Sequence, residues 1–186
     1  MASSKDLAQA AAVKSALVRK DLTRFGQFGI RGMGYEVASL TDHLTRILGL
    51  DRDHRVVILG AGNLGTALAK SRGFNSGGFR TLALFDTDAA KIEARSRTGL
   101  PTLSMRKLSS FARKHRVDVA VLAVPPEMAQ QVLNQAAAAG VRAVLNFVPA
   151  TLRVPRGVHL RSVDLKVHLE GLAFRLSRSQ AADAGA

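Results

Sequence analysis

The sequence contains no cysteine and no long apolar run, and each absence excludes a class of protein. Without cysteine the chain has no disulfide, no thiolate metal site and no cysteine nucleophile, which fits a reducing compartment. No apolar run approaches the roughly 18 residues of a membrane span. Residues 1–6 lack the charged and then apolar pattern of a signal peptide. We therefore expect a cytoplasmic chain without a membrane segment.

Acidic residues are much fewer than basic residues. The chain has 27 Lys and Arg against 14 Asp and Glu, a net charge of +13. Such an excess indicates an anionic partner such as nucleic acid. Residues 1–55 carry +3 of this charge and residues 56–186 carry +10, so the charge alone does not mark the N-terminus as a nucleic-acid surface. A general effect on solubility, with long-range attraction to DNA, explains it equally well.

A glycine motif stands between a predicted strand and a predicted helix. Four apolar residues, Val56 to Leu59, predict a buried parallel strand, and Asn63 to Lys70 predicts a helix. Between them, Gly60 allows a tight turn, Gly62 lets a pyrophosphate approach the backbone, and Gly65 lets the helix pack closely. The strand–turn–helix context is what this motif requires, so the stretch predicts a dinucleotide site. The alternative is a glycine-rich turn without a ligand.

The next predicted strand, Thr81 to Phe85, ends at Asp86, which is 21 residues after Gly65. A carboxylate at this place accepts the two ribose hydroxyls of an adenosine and repels a 2′-phosphate. The pattern therefore favours NAD over NADP.

The remainder of the chain alternates strand and helix, which predicts a parallel sheet. The predicted strands are Val117–Val124, Ala143–Phe147 and Val158–Val163, and the predicted helices are Asp88–Ala94, Met105–Lys114 and Glu127–Ala139. Strand ends at one edge of such a sheet bind ligands, so a nicotinamide ring is expected near Ala123–Pro125 and Asn146–Phe147. Asp164 to Leu176 predicts an amphipathic helix, and residues 177–186 are expected to be a frayed tail.

The N-terminal residues predict two short helices and a hairpin. Ser3 is a candidate cap for the first helix, and Ser15 is a candidate cap for a basic second helix, Ala16–Phe25. Such a pair is typical of helix–turn–helix DNA binding, although a basic face can simply be solvated. Residues 26–35 contain four glycines and predict a hairpin with an arginine at its tip that could enter a minor groove, or else an ordinary loop. A third helix, Ser39–Leu48, is expected to end at Gly49.

Four stretches together resemble the Rex family of bacterial redox-sensing transcriptional repressors. They are residues 18–35, 60–65, 123–125 and 145–149, and the likeness runs from Ser3 to about Leu176. The resemblance implies an α/β chain with a winged-helix domain at 1–50, a Rossmann NAD(H)-binding domain with a parallel sheet at 51–163, and a dimer helix with its tail at 164–186. It also implies a homodimer in which the C-terminal helices are swapped. Such a dimer binds a palindromic operator in double-stranded DNA and is released when NADH binds.

The resemblance also implies residue roles. In the DNA-binding domain, the candidates for the major groove and its phosphates are Lys14, Ser15, Arg19 and Lys20, and the candidate for the minor groove is Arg31. The candidates for the NADH or NAD⁺ pyrophosphate are Gly60, Ala61, Gly62, Asn63, Leu64 and Gly65, with Asp86 for the ribose. The candidates for the nicotinamide are Ala123, Val124, Pro125, Asn146 and Phe147, with Asp164 and Phe174 from the partner subunit.

The chain departs from the family pattern at two places. Rex-like proteins have a further helix before the position of Ser3, so either the true start lies upstream of Met1 or the winged helix is truncated. Without that helix, Leu7 and Leu17 are expected to be partly uncovered. Ser71 stands where the family has a tyrosine near the nicotinamide. A second hypothesis is therefore an NAD(H)-binding dimer that has lost DNA binding.

A third hypothesis is an enzyme, either a small dehydrogenase or a Rossmann-type ligase subunit. Only residues 164–186 follow the last predicted strand, which is too few for a substrate domain. The five histidines are not spaced as metal ligands, and no residue set indicates catalysis. We therefore expect no catalytic residue and no metal site.

Overall fold

The computed structural model describes residues 1–30, 32–93 and 98–183. Contacts divide the chain into two compact units, Met1–Asp53 and His54–Ala186. The functional division at residues 50 and 163 stays a prediction. No helix in the described ranges is both long enough and apolar enough to cross a membrane.

The first unit begins with two helices, α1 (Ser4–Ala10) and α2 (Ser15–Phe25). Ser3 caps α1 as predicted: its hydroxyl accepts the Asp6 amide at 3.2 Å, and the Asp6 carboxylate accepts the Ser3 amide at 2.8 Å. The bond from the Ser3 amide to the carboxylate, and after it the side-chain hydrogen bonding of Ser3 to the same group, favour the ionised acid and lower the pKa of Asp6. The prediction that Ser15 caps α2 is wrong. Lys14 holds the extended cap position without a side-chain bond, and Ser15 is already helical.

A small hairpin and a third helix complete this unit. Strands β1 (Gly29–Ile30) and β2 (Gly34–Tyr35) pair antiparallel, which confirms the predicted wing. Arg31, the predicted tip residue, lies outside the described residues. Helix α3 (Val37–Ile47) begins earlier than predicted because the Glu36 carboxylate accepts the Ala38 and Ser39 amides at 3.1 and 2.6 Å. It ends before Gly49, whose φ is +67°, as expected.

The second unit is built on a six-stranded parallel sheet with the order β5-β4-β3-β6-β7-β8. The strands are β3 (His54–Leu59), β4 (Phe79–Asp86), β5 (Thr102–Ser104), β6 (Val119–Leu122), β7 (Ala143–Asn146) and β8 (His159–Ser162). The helices are α4 (Asn63–Lys70), α5 (Ala89–Glu93), α6 (Leu108–His115), α7 (Pro126–Ala138) and α8 (Leu165–Asp183), with a 3₁₀ turn at Met105–Lys107. The predicted α/β architecture with a Rossmann-like parallel sheet is confirmed.

Apolar packing covers both faces of this sheet, as parallel strands require. Helices α6 and α7 pack on one face, against the side chains of Val57, Leu59 and Leu122. Helix α4 packs on the other face, against Val56 and Ile58. The central strands are therefore buried on both sides, and their carboxyl ends are held at fixed positions.

Several element ends shift by a few residues, as for β6, which spans Val119–Leu122 rather than Val117–Val124, and two parts of the second unit differ more widely from the sequence-based expectation. Strand β5 was not predicted; it has three residues at the edge of the sheet, too few to show a period. Helix α8 continues to Asp183, so the prediction of a frayed tail is wrong for residues 177–183. The reason is composition, because alanine, arginine and glutamine favour helix and neither glycine nor proline interrupts this stretch.

Candidate functional site

A cavity of about 520 Å³ lies at the carboxyl ends of β3, β4, β6 and β7. This is where ligands bind in open α/β sheets. Nine of the predicted cofactor residues line it: Gly60, Gly62, Asn63, Leu64, Asp86, Ala123, Val124, Pro125 and Phe147. The fold thus brings together residues that lie far apart in the sequence.

Glycine is required at two places in the turn between β3 and α4. A Cβ on Gly60, whose φ is +109°, would meet the carbonyl oxygen of Ala123. A Cβ on Gly65 would meet the carbonyl oxygen of Gly60. Both glycines are therefore needed for the turn and the helix to lie this close to the sheet.

The surroundings of Gly62 differ: apart from Gly62 and its two chain neighbours, no atom of the described residues lies within 4 Å of the place where its Cβ would be. The space beside it faces the cavity that Asn63 and Leu64 also line. No side chain caps the N-terminus of α4, which begins at Asn63. A helix start with free N–H groups and open space beside a glycine suits a phosphate group.

The Asp86 carboxylate stands at the end of β4 and is 11% exposed. One oxygen, Oδ2, accepts the Ala61 amide at 2.8 Å and the Lys91 ammonium at 3.2 Å, and Oδ1 accepts the Asp88 amide at 3.0 Å. Burial raises the pKa of Asp86, but the bonds from Asp88, Ala61 and Lys91 outweigh it and hold the pKa below its ordinary value. The group is an ionised acceptor in a fixed orientation, which suits ribose hydroxyls. Ala61 supports this carboxylate with its amide rather than lining the cavity.

Lys91 is a cavity residue that sequence reasoning missed. Its ammonium bridges Asp86 and Asp88, at 3.2 and 3.7 Å, and lies in the cavity wall. The glycine motif directs attention to the acid after the second strand and not to a lysine one helical turn later. The sequence did contain one signal for Lys91. Asp88 stands just before α5 and Lys91 three residues later within it, and opposite charges at this spacing can pair.

The other end of the cavity is apolar. Its wall there is formed by Ala123, Val124, Pro125, Phe147, Val148 and Pro149, with Met128 and Val132 from α7, while Met105 follows β5 and lines the cavity beside Asp86. Sequence reasoning missed the last five of these, together with Phe85, Thr87 and Asp88. Helical residues of this kind reach the cavity through tertiary packing, and no local motif marks them. A flat aromatic ring fits such a wall.

Asn146 does not form part of the cavity wall, although it was predicted beside the nicotinamide. It is 1% exposed, and its amide donates to the Val148 carbonyl at 3.0 Å and the Ser162 hydroxyl at 3.1 Å. Its Oδ1 accepts the Val148 amide at 2.9 Å. Asn146 therefore fixes the path of the chain after β7, which places Phe147 and Val148 in the wall.

Two further candidates lie on or beside α8. The Asp164 carboxylate accepts the Lys166 amide at 2.9 Å and caps the helix, and Phe174 is 63% exposed. Neither lines the cavity of its own chain. Ser71 follows the last residue of α4, and its hydroxyl accepts the Phe74 amide at 3.2 Å.

The DNA-binding candidates of the first unit lie on α2 and just before it. Lys14 and Lys20 are exposed, and Ser15 is half-buried. The Arg19 guanidinium donates to the Ser4 hydroxyl at 3.0 Å and so ties α2 to α1. Arg19 and Ser4 also line a groove with the wing residues Gly29 and Gly34. Helix and wing are thus adjacent, which is the arrangement that a winged helix presents to duplex DNA.

Comparison with known proteins covers both units. The profile of a family described as the CoA binding domain matches residues 51–150. The redox-sensing transcriptional repressor Rex of Carboxydothermus hydrogenoformans is 46% identical over 176 residues, which are 95% of this chain and 84% of that protein. Rex of Streptomyces coelicolor is 44% identical over 184 residues, 99% of this chain and 71% of that protein.

Solved structures of one Rex-family repressor, RSP, are also similar. RSP in complex with β-NAD⁺ and operator DNA has a TM-score of 0.89 and 33% identity, covering 98% of this chain and 83% of that one. RSP in complex with β-NADH has a TM-score of 0.83 and 31% identity, covering all of this chain and 86% of that one.

Proposed function

The chain belongs to the Rex family of redox-sensing transcriptional repressors, and we propose that it acts as one: it binds a palindromic operator when NADH is scarce and leaves it when NADH binds. The observation that carries this proposal is identity of 37–46% with Rex repressors over 94–99% of the chain. The match includes both compact units, and therefore both the proposed DNA-binding part and the proposed sensing part.

The cavity fits a nicotinamide dinucleotide by its own chemistry. The uncapped start of α4 and the open space at Gly62 suit the pyrophosphate, and the ionised Asp86 suits the adenosine ribose. The apolar end beside Phe147 suits the nicotinamide ring. We assign supporting roles to three other candidates: Ala61 orients Asp86, Gly65 allows α4 to pack, and Asn146 holds the end of β7.

Helix α8 supports the proposal of a homodimer. Six large apolar side chains on it are exposed: Leu165, Val167, Leu169, Leu172, Phe174 and Leu176. Leu165, Leu169, Leu172 and Leu176 recur at helical spacing on one side, and Val167 and Phe174 lie on another. Apolar side chains on more than one side are typical of a helix that is buried against other parts of a protein. We propose that it packs against the partner subunit and brings Asp164 and Phe174 to the partner's cavity.

A two-fold dimer makes a palindromic operator the geometric expectation. Lys14, Ser15, Arg19 and Lys20 are the candidates for the major groove and its phosphates, and Arg31 is the candidate for the minor groove. The response to NADH is then reciprocal coupling: NADH must favour an arrangement of the dimer that binds DNA less tightly.

We infer further that the chain is not an enzyme and that it works in the cytoplasm. Its relatives are named as transcriptional repressors. Among the described residues, those that line the end of the cavity assigned to the nicotinamide are apolar, and none of them is an acid or base facing a substrate. The absence of cysteine from the sequence suits a reducing compartment.

The test is fluorescence anisotropy of a labelled palindromic operator titrated with the protein at stated salt, alone, with NADH and with NAD⁺. We expect tight binding that NADH abolishes and NAD⁺ leaves intact. Binding of NADH is followed in parallel by its own fluorescence.

The outcomes separate the hypotheses. NADH binding without operator binding would support a dinucleotide-binding dimer that has lost its DNA function. Oxidation of NADH with any carbonyl substrate would overturn the inference that the chain is not an enzyme.

A further inference from the structure

The amino ends of the parallel strands form the edge of the sheet opposite the cavity, and basic residues are concentrated there. Arg55 and Arg80 are direct partners on β3 and β4. Val56 pairs with Val119, and Val119 with Ala143, so the residues before them, Asp118 and Arg142, fall in the same row. One register row across four strands therefore carries three arginines and one aspartate.

More basic residues surround this row. Six exposed basic residues form what we call the amino-edge surface: Arg80, Arg113, Lys114, Arg116, Arg142 and Arg156. In the described parts of the chain, none of the six has a carboxylate oxygen within 4.0 Å. Arg55 is used internally, because its guanidinium donates to the His115 carbonyl at 2.8 Å. The Asp118 carboxylate accepts the Arg55 amide at 2.8 Å. Two further aspartates, Asp51 and Asp53, precede β3 in the sequence.

Stabilisation of a helix end accounts for only part of this surface. Arg113 and Lys114 lie in the last turn of α6, where cations favour the helix dipole. Arg80 lies in a strand, and Arg142 and Arg156 lie in loops, so the helix dipole does not explain them. Arg116 has a left-handed backbone with φ of +49°, a place where glycine is favoured. Arg116 is the C-cap of α6, so its cation also lies where the helix dipole favours positive charge.

We propose that the amino-edge surface binds the phosphate backbone of duplex DNA beside the operator. The inference rests on the proposed function and extends it to the second unit. Adjacent strands are about 4.8 Å apart, so the row from Arg80 to Arg142 spans about 14 Å, close to four base-pair rises of a duplex. Five of the six groups are guanidinium groups, which suit phosphate oxygens.

The composition of the surface favours DNA over an acidic protein. The six groups are all long and cationic, whereas a protein interface has an apolar centre. The chain also enters the second unit at this edge, since His54 is the first residue of β3. The cavity lies at the opposite edge of the sheet.

The test compares two duplexes. One carries the two operator half-sites without flanks, and the other adds about ten base pairs, one helical turn, at each end. The edge variant combines Arg80→Gln, Arg142→Gln and Arg156→Gln, none of which lies on a helix. The matched control variant combines Arg106→Gln, Lys107→Gln and Arg153→Gln, three exposed basic residues outside the amino-edge surface. Both variants lose the same charge.

We expect the parent to bind the flanked duplex more tightly than the short one. We expect the edge variant to bind the flanked duplex about tenfold more weakly than the parent does at 0.1 M salt, and to bind the short duplex as tightly as the parent does. The slope of log affinity against log salt on the flanked duplex falls by about 0.9 for each phosphate that the variant no longer neutralises. The control variant keeps the parent's preference, and NADH affinity is unchanged in both variants.

Two results would overturn this inference while the proposed function stands. Equal losses in the edge and control variants would show general attraction by net charge. Equal affinity of the parent for both duplexes would show that the protein does not contact the flanking base pairs. The amino-edge surface would then bind another partner, such as an acidic protein. If the parent bound neither duplex, the proposed function itself would fail.

Discussion

The two units of the chain differ in how much apolar surface each buries. Among the described residues, the first unit buries only Ala8 and Leu40, whereas the second buries the central strands together with the inner faces of α6 and α7. Leu7 is half-buried and Leu17 is 45% exposed, as the sequence led us to expect. The second unit therefore has a core of its own that holds the cavity residues in place, and the first unit gains little stability from its own core.

Substituting one leucine in each unit should show the largest difference. Leu122 is fully buried in β6, so Leu122→Ala is expected to lower the free energy of unfolding of the second unit by about 2–5 kcal/mol. Leu17→Ala removes a side chain that is already 45% exposed and should cost less than about 1 kcal/mol. Urea unfolding followed by far-UV circular dichroism measures the first substitution.

The single tyrosine, Tyr35, lies in the first unit, so its fluorescence follows that unit separately. Leu40→Ala, at a position 6% exposed, is the matched substitution of a buried leucine in the same unit. If Leu17→Ala and Leu122→Ala cost the same, the first unit is as well packed as the second and the comparison fails.

The glycine turn offers a pair of substitutions that separates folding from binding. Gly65→Ala forces the new methyl group against the Gly60 carbonyl, so we expect a lower melting temperature and NADH affinity reduced by at least tenfold. Gly62→Ala meets no protein atom within 4 Å, so the melting temperature should be unchanged while NADH affinity falls. Calorimetry and NADH titration give the two quantities. A fall in melting temperature for Gly62→Ala would mean that the space beside it is closed in solution.

Much of this architecture could be predicted from the sequence because its signals are local. The strand of Val56–Leu59 and the limits of α4 follow from an apolar run and three glycines, and the structure gives α4 the predicted bounds. Gly49 likewise marks the end of α3 because only a left-handed residue closes that helix well.

What could not be predicted depends on contacts between distant residues. Met128 and Val132 reach the cavity from α7, and nothing in their own stretch indicates it. In the sequence, Asn146 is a polar residue at a strand end, which predicts a contact with a ligand. Its hydrogen bonds to Val148 and Ser162 instead hold the chain after β7 in place. The end of α8 was also misjudged, since its last turns contain few large apolar residues to mark a helical face.

Asp86→Ala should weaken NADH binding by roughly 10- to 100-fold, the loss expected for hydrogen bonds to a charged group worth about 1.5–3 kcal/mol. Operator binding without NADH should stay unchanged, because the substitution lies in the second unit and the DNA candidates of α2 lie in the first. NADH titration and operator anisotropy measure the two effects. Asp86→Asn serves as the control for shape, since it keeps the size of the side chain and removes its charge. If adenosine-containing ligands bound the alanine variant as tightly as the parent, the assignment of Asp86 to the ribose would be wrong.

The smallest effect is expected at Lys91, which is 43% exposed, so that solvent screens its attraction to Asp86. The Lys91 ammonium is one of the groups that hold the pKa of Asp86 below its ordinary value, and burial opposes them. Because the folded-state pKa is lowered, the stability that the ionised carboxylate contributes is complete above the unfolded-state pKa. It is lost as pH falls through the folded-state value. In Lys91→Met the pKa of Asp86 should rise, so this contribution to stability should be smaller and its loss should be complete at a higher pH. NADH affinity at pH 7 should fall by no more than about fivefold. Titration of the Asp86 carboxyl carbon by NMR measures the shift, with Lys70→Met, an exposed lysine at the end of α4, as the control. An unchanged pKa would mean that the backbone amides of Ala61 and Asp88 are enough to keep Asp86 ionised, and that the cavity of the second unit owes its charge pattern to the backbone rather than to the Lys91 ammonium.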